Sequence, residues 1–545
     1  MSRSILIALA VVASVAGGAT PAGAAPGDLV AFVGDAGCIA DEPFDGCRPG
    51  RGLDGAESLA VSPDGLNVYV AAASTGGVAV LRRDPATGVL TQPAGKDACH
   101  AVDASDCRRS RETEGAYGVA VSPDGLNVSA AAFRSNAVSA FARDPATGLL
   151  KQLKRADGCT VEFDIEREEP TTCTEGRGLA SVSALTVSPD GRNVYAVADR
   201  SDAVTAFARD PATGALRQLP GLEGCSSQSG SGGACAKGEA LDGAESIVVS
   251  PDGAFVYVAA STTGGVATFA RDQATGALRQ LDGADGCIVT AAKHDRCALA
   301  SGMGGAWGVA MAPGGTSLYV GALATSSLAS LARDPASGRL QPLPKPLGCL
   351  RQPPVLLGPC TPVPHLGGIS NLAVSPEGDR LYGASFTDDT LVTLVRAADG
   401  SLTPLAGSAG CLTHGEVEGC EQVPGLDGAS NVQLSADGRN AYVASDIADA
   451  IVAVARQPAA VAPVLRYRSG AARRGQAFVQ LPQVLALRPA TFAIAPRLPA
   501  GLVLNTETGS ISGRPTRSAP ARDYAVTLTT DAGTVTATLR LRVRP

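Results

Sequence analysis

The chain carries four histidines, His100, His294, His365 and His414, the side chains best suited to proton transfer near neutral pH. Three lie between members of a cysteine pair and His365 follows one. They are scattered along the chain, so exposed loop histidines are expected and not one acid–base set. A more ordered set falls five residues before a recurring Ser-Pro-Asp-Gly-type turn: Glu57, Tyr117, Ser183, Glu245, Trp307, Ser370 and Ser430. Asn371 and Asn431 follow the last two. We take Glu57, Tyr117, Glu245, Trp307, Asn371 and Asn431 as candidate ligand-binding residues. Trp307, the single tryptophan, and Tyr117 have the faces to stack on a sugar. Glu57 and Glu245 have the carboxyls to hydrogen-bond one, or to act as an acid–base pair if they lie close enough. The alternative is that all of these are ordinary strand-start residues. Acidic pairs at Asp199/Asp202, Asp388/Asp389 and Asp446/Asp449 belong to separate repeats, whereas calcium needs six or more oxygens in one place. Turn or cap roles are expected for them. No nucleophile elbow, phosphate loop, His-Glu-x-x-His or EF-hand pattern is present. No catalytic residue, metal or cofactor is assigned.

These residues are positioned by a repeat. The turn begins at Ser62, Ser122, Ser188, Ser250, Ala312, Ser375 and Ser435. The cysteines keep the same beat: Cys38 with Cys47, Cys99 with Cys107, Cys159 with Cys173, Cys225 with Cys235, Cys287 with Cys297, Cys349 with Cys360 and Cys411 with Cys420. In every copy the second cysteine precedes the turn by 15 residues, and a leucine precedes the first cysteine by nine. Length varies almost only between the paired cysteines, as expected of a rigid unit with one surface loop. Local disulfides are the simplest pairing, because the spacing is too wide for a zinc site. Such bridges either protect the fold outside the cell or stiffen a binding face.

Each copy reads as four short strands. Apolar 58–61 leads into the turn, 67–71 follows, a small-residue loop leads to 78–81, and Asp84-Pro85-Ala86-Thr87-Gly88 turns the chain into 89–92. The seventh copy lacks that fourth strand, and residues 29–33 have the spacing to supply it. The expected fold is therefore all-β: a seven-bladed β-propeller closed by the N-terminal strand, the alternative being an open solenoid of seven units that leaves the first and last incomplete.

Composition agrees with a turn-rich secreted protein. Of 545 residues, 65 are Gly, 36 Pro and 14 Cys, with 4% aromatics and a net charge of −7. The negative balance argues against nucleic acid as a partner. Arg3, an apolar run from Ile5 and Ala22-Gly23-Ala24 read as a signal peptide cleaved before Ala25, and no other stretch reaches membrane-span length.

The pattern Leu59-Ala60-Val61-Ser62-Pro63-Asp64-Gly65-Leu66-Asn67-Val68-Tyr69-Val70-Ala71, followed by Arg-Asp-Pro-Ala-Thr-Gly-x-Leu, resembles the lactonase-type seven-bladed propellers with YVTN-like, 6-phosphogluconolactonase-like repeats. The resemblance covers about residues 29–456. It implies a propeller and, as an activity, hydrolysis of a sugar lactone, although many such propellers are non-enzymatic. The paired cysteines depart from the intracellular lactonases. Leu498-Pro499-Ala500-Gly501-Leu502 through Ser512-Gly513-Arg514-Pro515-Thr516 resembles the Ig-like, cadherin-like modules of bacterial surface proteins.

The domain expectation is a signal peptide at 1–24, the repeat domain at 25–456, a linker at 457–463 and an Ig-like β-sandwich at 464–545. The expected function is a secreted or envelope-associated, non-catalytic protein that binds a polysaccharide or a surface protein. The alternative is a lactone hydrolase.

Overall fold

A computed structural model describes residues 27–545 except 42–45, 103–105, 163–171, 292–295, 355–359, 406, 457–462, 487–489 and 531–532. The expected export segment, His294 and nearly all of the expected linker lie outside the described residues.

Each repeat folds into one sheet. In the first unit, the inner strand Ala56–Val61 pairs antiparallel with Asn67–Ala72, which pairs with Gly77–Arg83. The Ser62 hydroxyl donates to Asp64 Oδ1 at 2.6 Å, and the Gly65 N–H donates to the Ser62 carbonyl at 2.8 Å. Gly65 sits at φ 68°, where a side chain is disfavoured. The second turn is built on Asp84, whose Oδ1 accepts the Ala86 N–H at 2.8 Å.

The expected seven-bladed propeller of regular four-stranded blades is corrected by these sheets. All seven are six-stranded and follow one another in a solenoid-like stack of repeated units. The leucine segment expected as the outer strand is a short spur: Leu90–Thr91 pairs only with residues 82–83 of the third strand. The other end of that strand takes Cys99–Ala101, which then pairs in parallel with Arg108–Arg109. The physical reason is length. The Asp-Pro-Ala-Thr-Gly turn returns the chain over only part of the third strand, and the cysteine strand satisfies the backbone groups left open.

The N-terminal segment joins the seventh sheet. Leu29, Val30 and Ala31 pair with Arg456, Ala455 and Val454, and Cys38–Ala40 pairs with residues 450–452. The seventh unit also meets the first, since Arg83 Nε donates to the Tyr442 hydroxyl at 2.7 Å.

That contact is one copy of a buried knot repeated between neighbouring units. Arg143 Nε donates to the Tyr69 hydroxyl at 2.7 Å, and its Nη2 donates to Asp64 Oδ2 at 2.6 Å and Asn67 Oδ1 at 2.7 Å. The Tyr69 hydroxyl in turn donates to the Gly148 carbonyl at 2.8 Å. The turn motifs of adjacent repeats are thereby tied to each other, and a buried guanidinium is saturated with acceptors. The second unit breaks the pattern. Ser129 stands where the other units have tyrosine, and Arg209 Nε has no partner among the described residues.

The cysteines pair locally. Cys38 is bonded to Cys47, Cys99 to Cys107, Cys159 to Cys173, Cys225 to Cys235, Cys287 to Cys297, Cys349 to Cys360 and Cys411 to Cys420. Their Cα–Cα distances are 4.7–4.9 Å. The first cysteine of each pair opens a three-residue strand, as in Cys99–Ala101 and Cys225–Ser227. The second member, Cys47, Cys107, Cys235 or Cys360 for example, stands just ahead of the two-residue strand that pairs with it in parallel. The bridge thus clamps the two outermost strands of each sheet. Seven such bridges mark an extracellular protein folded in an oxidising compartment. Among the described residues, no helix is long and apolar enough to cross a membrane.

Residues 463–545 form a separate β domain. Its four-stranded sheet contains the long hairpin Ala519–Thr530 and Gly533–Arg544, and a three-stranded sheet holds Phe478–Gln480, Leu502–Leu504 and Ile511–Gly513. Tyr524, Val526, Leu528, Leu539 and Leu541 alternate inward to a core shared with Phe492 and Ile511. Val33 of the N-terminal segment packs into that core, and its N–H donates to the Ala486 carbonyl at 2.8 Å.

Candidate functional site

Every inner strand carries a β-bulge at the same register. The pairing shifts between Ala56/Ser58, Ala116/Gly118, Val182/Ala184, Ala244/Ser246, Ala306/Gly308, Ile369/Asn371 and Ala429/Asn431. The extra residue in each bulge is therefore Glu57, Tyr117, Ser183, Glu245, Trp307, Ser370 or Ser430. A bulge leaves one residue outside the ladder and re-aims its side chain. Two residues earlier the backbone takes positive φ in every unit, at Gly55 (69°) in the first and at Ser181 (58°) in the third. A Cβ on Gly55 would lie 2.8 Å from the Ser74 backbone nitrogen, so both φ and space favour glycine.

What the bulge does depends on side-chain length. The serines turn back to the backbone: Ser430 Oγ donates to the Ala56 carbonyl at 3.0 Å and to the Glu57 carbonyl at 3.1 Å in the next unit. Ser370 does the same toward Ser430, and Ser183 toward Ala244. Glu57, Tyr117, Glu245 and Trp307 are longer and line a central cavity of about 810 Å³ bordered by the inner strands of all seven units. Asn371, Asn431 and Asp446 line it too. All six candidate residues are thus brought to one space.

Their surroundings differ. The Tyr117 hydroxyl donates to the Glu57 carboxyl, and its ring lies 5.7 Å from that of Phe133. Asn371 Oδ1 accepts the Val432 N–H at 3.2 Å, which ties it to the neighbouring unit. Asn431 is 9% exposed and its Oδ1 has no partner among the described residues. Burial pushes the Glu57 carboxyl up to about 8; the charge of Asp446 adds to the rise and the Tyr117 hydrogen bond opposes it. Burial likewise pushes Glu245 up to about 8, reinforced by Asp199 and opposed by Ser261. The Asp446 carboxyl is raised by burial and by Asp54. Among the described residues lining the cavity there is no Arg, Lys or His. At neutral pH the two glutamates are therefore mainly protonated, each able to donate as well as accept a hydrogen bond.

The disulfides do not belong to this site. Among the described residues, none of Cys38, Cys47, Cys99, Cys107, Cys159, Cys173, Cys225, Cys235, Cys287, Cys297, Cys349, Cys360, Cys411 and Cys420 lines the cavity. Of the two roles expected for the bridges, their placement supports protection of the fold and not the stiffening of this cavity. They pack instead against the glycines that lead into the inner strands. A Cβ on Gly52 would meet Cys99 Cβ at 2.8 Å and Cys107 Sγ at 3.3 Å. One on Gly302 would meet Cys349 Cβ at 2.8 Å and Cys360 Sγ at 3.7 Å. One on Gly425 would lie 3.3 Å from Cys47 Sγ.

The remaining chemistry-bearing residues lie elsewhere. His100 is 3% exposed, its Nε2 lies 2.9 Å from the Leu150 carbonyl, and burial lowers its pKa. It is a core histidine and not the exposed loop residue expected. His365 has its nearest candidate co-ligands in Cys411 and Cys420, but those sulfurs are bonded to each other. Asp202, Asp389 and Asp449 accept the backbone N–H groups of Gly243, Gly428 and Gly55 in the following unit. They serve as joints between repeats.

Sequence reasoning located the seven bulge positions without recognising the bulges. The usable signal was the small residue at positive φ two places before each one. It missed Asp446 as a cavity residue, because the adjoining loop read only as an acidic turn.

No curated protein matches the chain. Among solved structures, similarity extends to a putative 6-phosphogluconolactonase of Bacteroides fragilis, with 18% identity, TM-score 0.46, 69% of this chain and 93% of that one covered. It extends to the periplasmic gluconolactonase of Pseudomonas aeruginosa, with 18% identity, TM-score 0.44, and 69% and 94% covered. Hydrazine synthase of Kuenenia stuttgartiensis is similar at 16% identity and TM-score 0.46, with 77% and 100% covered. None of these likenesses bears on activity. Residues 467–544 match the family described as Putative Ig domain, so the C-terminal β domain is Ig-like.

Proposed function

We propose that the chain is an extracellular, non-catalytic binding protein whose central cavity takes a saccharide, the end of a polysaccharide in preference to a surface protein. The proposal includes export through residues 1–24, a repeat domain at 25–456, a linker at 457–463 and an Ig-like spacer at 464–545. One observation carries it: Trp307 and Tyr117 share a cavity with the carboxyls of Glu57 and Glu245 and two amides. Aromatic faces with neutral donors and acceptors suit hydroxyl-rich rings. A glycan array with the mature chain tests it, and binding lost in Trp307→Ala is the expected result.

The second reading is hydrolysis of a sugar lactone. It is favoured by Glu57 and Glu245, because carboxyls raised to about 8 are matched to acid–base work near neutral pH. A phosphorylated lactone fits poorly, since its charge would face three acidic groups and no basic one among the described lining residues. Turnover of an uncharged lactone, abolished in Glu57→Gln or Glu245→Gln, would establish this reading over the first.

A further inference from the structure

The cavity is unusual in the sign of its unpaired groups. Glu57, Glu245 and Asp446 line it, and no positive side chain among the described lining residues faces them. Burial raises Glu57 and Glu245, the charges of Asp446 and Asp199 add to the rise, and Glu57, Glu245 and Asp446 together raise Tyr117. Asn431 lines the same space and is largely buried.

A bare metal ion is a poor occupant. Calcium needs six or more oxygens converging on one point. Among the described residues, these three carboxyls do not form a group whose ligand atoms all lie within 4.8 Å of one another. Glu57 and Glu245 belong to the first and fourth units, so they address an extended ligand from different sides. The aromatic pair adds two faces that attract positive charge once water is excluded. A volume of about 810 Å³ is sugar-sized or larger.

We propose that the cavity is selective for an organic cation, a sugar or small molecule bearing a protonated amine, held by the carboxyls of Glu57 and Glu245 between Tyr117 and Trp307. This rests on the reading of the cavity as a ligand site and narrows the ligand to one chemical class. For an amine that stays protonated through this range, such as that of an aminoalkyl glycoside, the bound ammonium favours the carboxylate form of each glutamate, so binding releases protons and strengthens as pH rises toward 8. Below that value the apparent affinity gains up to about tenfold per pH unit for each carboxyl that must ionise.

The test is calorimetric titration of the full mature chain with amino sugars and aminoalkyl glycosides, each beside its N-acetyl counterpart. The amines should bind at least about tenfold more tightly. Their heats should differ between buffers of different ionisation enthalpy, which reports proton release. Glu57→Gln and Glu245→Gln remove a charge but keep the shape, and each should erase the preference for amine over amide while melting as a folded protein. Equal or tighter binding of the N-acetyl forms, or no proton release, overturns the cation assignment and leaves saccharide binding standing. Binding of no amine and no glycan on the array overturns both. Calcium binding at the same cavity, blocked by both substitutions, also overturns it.

Discussion

The hydroxyl of Tyr117 donates to the carboxyl of Glu57 across the boundary between the first two units. Both residues are the extra member of a β-bulge, so each points inward from the same register of its own repeat. A periodic backbone irregularity is thereby turned into a non-periodic site, because the residue placed in each bulge differs.

Glu57 titration should be visible through the single tryptophan. Trp307 shares the cavity, and both glutamates lie near 8. Its fluorescence should show a transition centred near pH 8. In Tyr117→Phe the hydrogen bond that favours the Glu57 carboxylate is lost, and the transition should move to higher pH. A flat profile between pH 6 and 10 would count against carboxyls poised in this cavity.

The second unit offers a stabilising substitution. Ser129 occupies the place that Tyr69, Tyr195, Tyr257, Tyr319, Tyr382 and Tyr442 hold elsewhere. Arg209 Nε is the donor left over. Ser129→Tyr should restore the knot and raise stability by about 1 kcal/mol, the worth of one such hydrogen bond. The converse, Tyr195→Phe, should cost about 1–3 kcal/mol, because Arg271 Nε then loses the hydroxyl 2.8 Å away. Urea unfolding curves of the three chains decide it.

The disulfides should act locally and additively. Each closes a loop within its own repeat, so opening one leaves the others intact. Replacing Cys159 and Cys173 together by Ser should cost about 2–3 kcal/mol on the loop-entropy account. Peptide mapping without reductant should recover seven intramolecular pairs, each within one repeat. A cross-repeat pair would contradict the register of the sheets.

The repeat was legible because the turns and cysteines demand particular residues: glycine at positive φ, and a fixed count from Cys to turn. The pairing of Cys47, Cys107, Cys235 and Cys360 with the cysteine just before each of them followed from that count. Their distance from the cavity did not, because the sequence does not say which edge of a sheet a loop closes. That residues 29–31 join the seventh sheet followed from the same count, without the register that sets Leu29 opposite Arg456. The outer strand was misread because Leu90 and Thr91 look like a strand while spanning only the end of their partner. The cysteine strand that completes the sheet is three residues long, too short to show a period. The bulges were hidden for a related reason: Ala56-Glu57-Ser58 reads as an ordinary strand start. The raised carboxyls could not be read at all, because their burial arises only when strands from distant repeats converge.

Stability should fall as pH rises through the neutral range. In the unfolded chain Glu57 and Glu245 ionise near 4.5, whereas in the folded protein they hold their protons to about 8. Between these values the native state binds more protons than the unfolded state, so the contribution of each group is present at low pH and is lost progressively up to about 8. The steepest loss is about 1.4 kcal/mol per pH unit for each group, an upper limit because both side chains retain some exposure. Glu57→Gln and Glu245→Gln keep the neutral shape at every pH. They should leave stability near pH 5 almost unchanged, raise it at pH 8.5 and flatten the curve between, with the double substitution flattest. Chemical denaturation midpoints across pH 5–9 supply the measurement. A wild-type curve that rises through this range would show that the carboxyls are ionised in the native cavity.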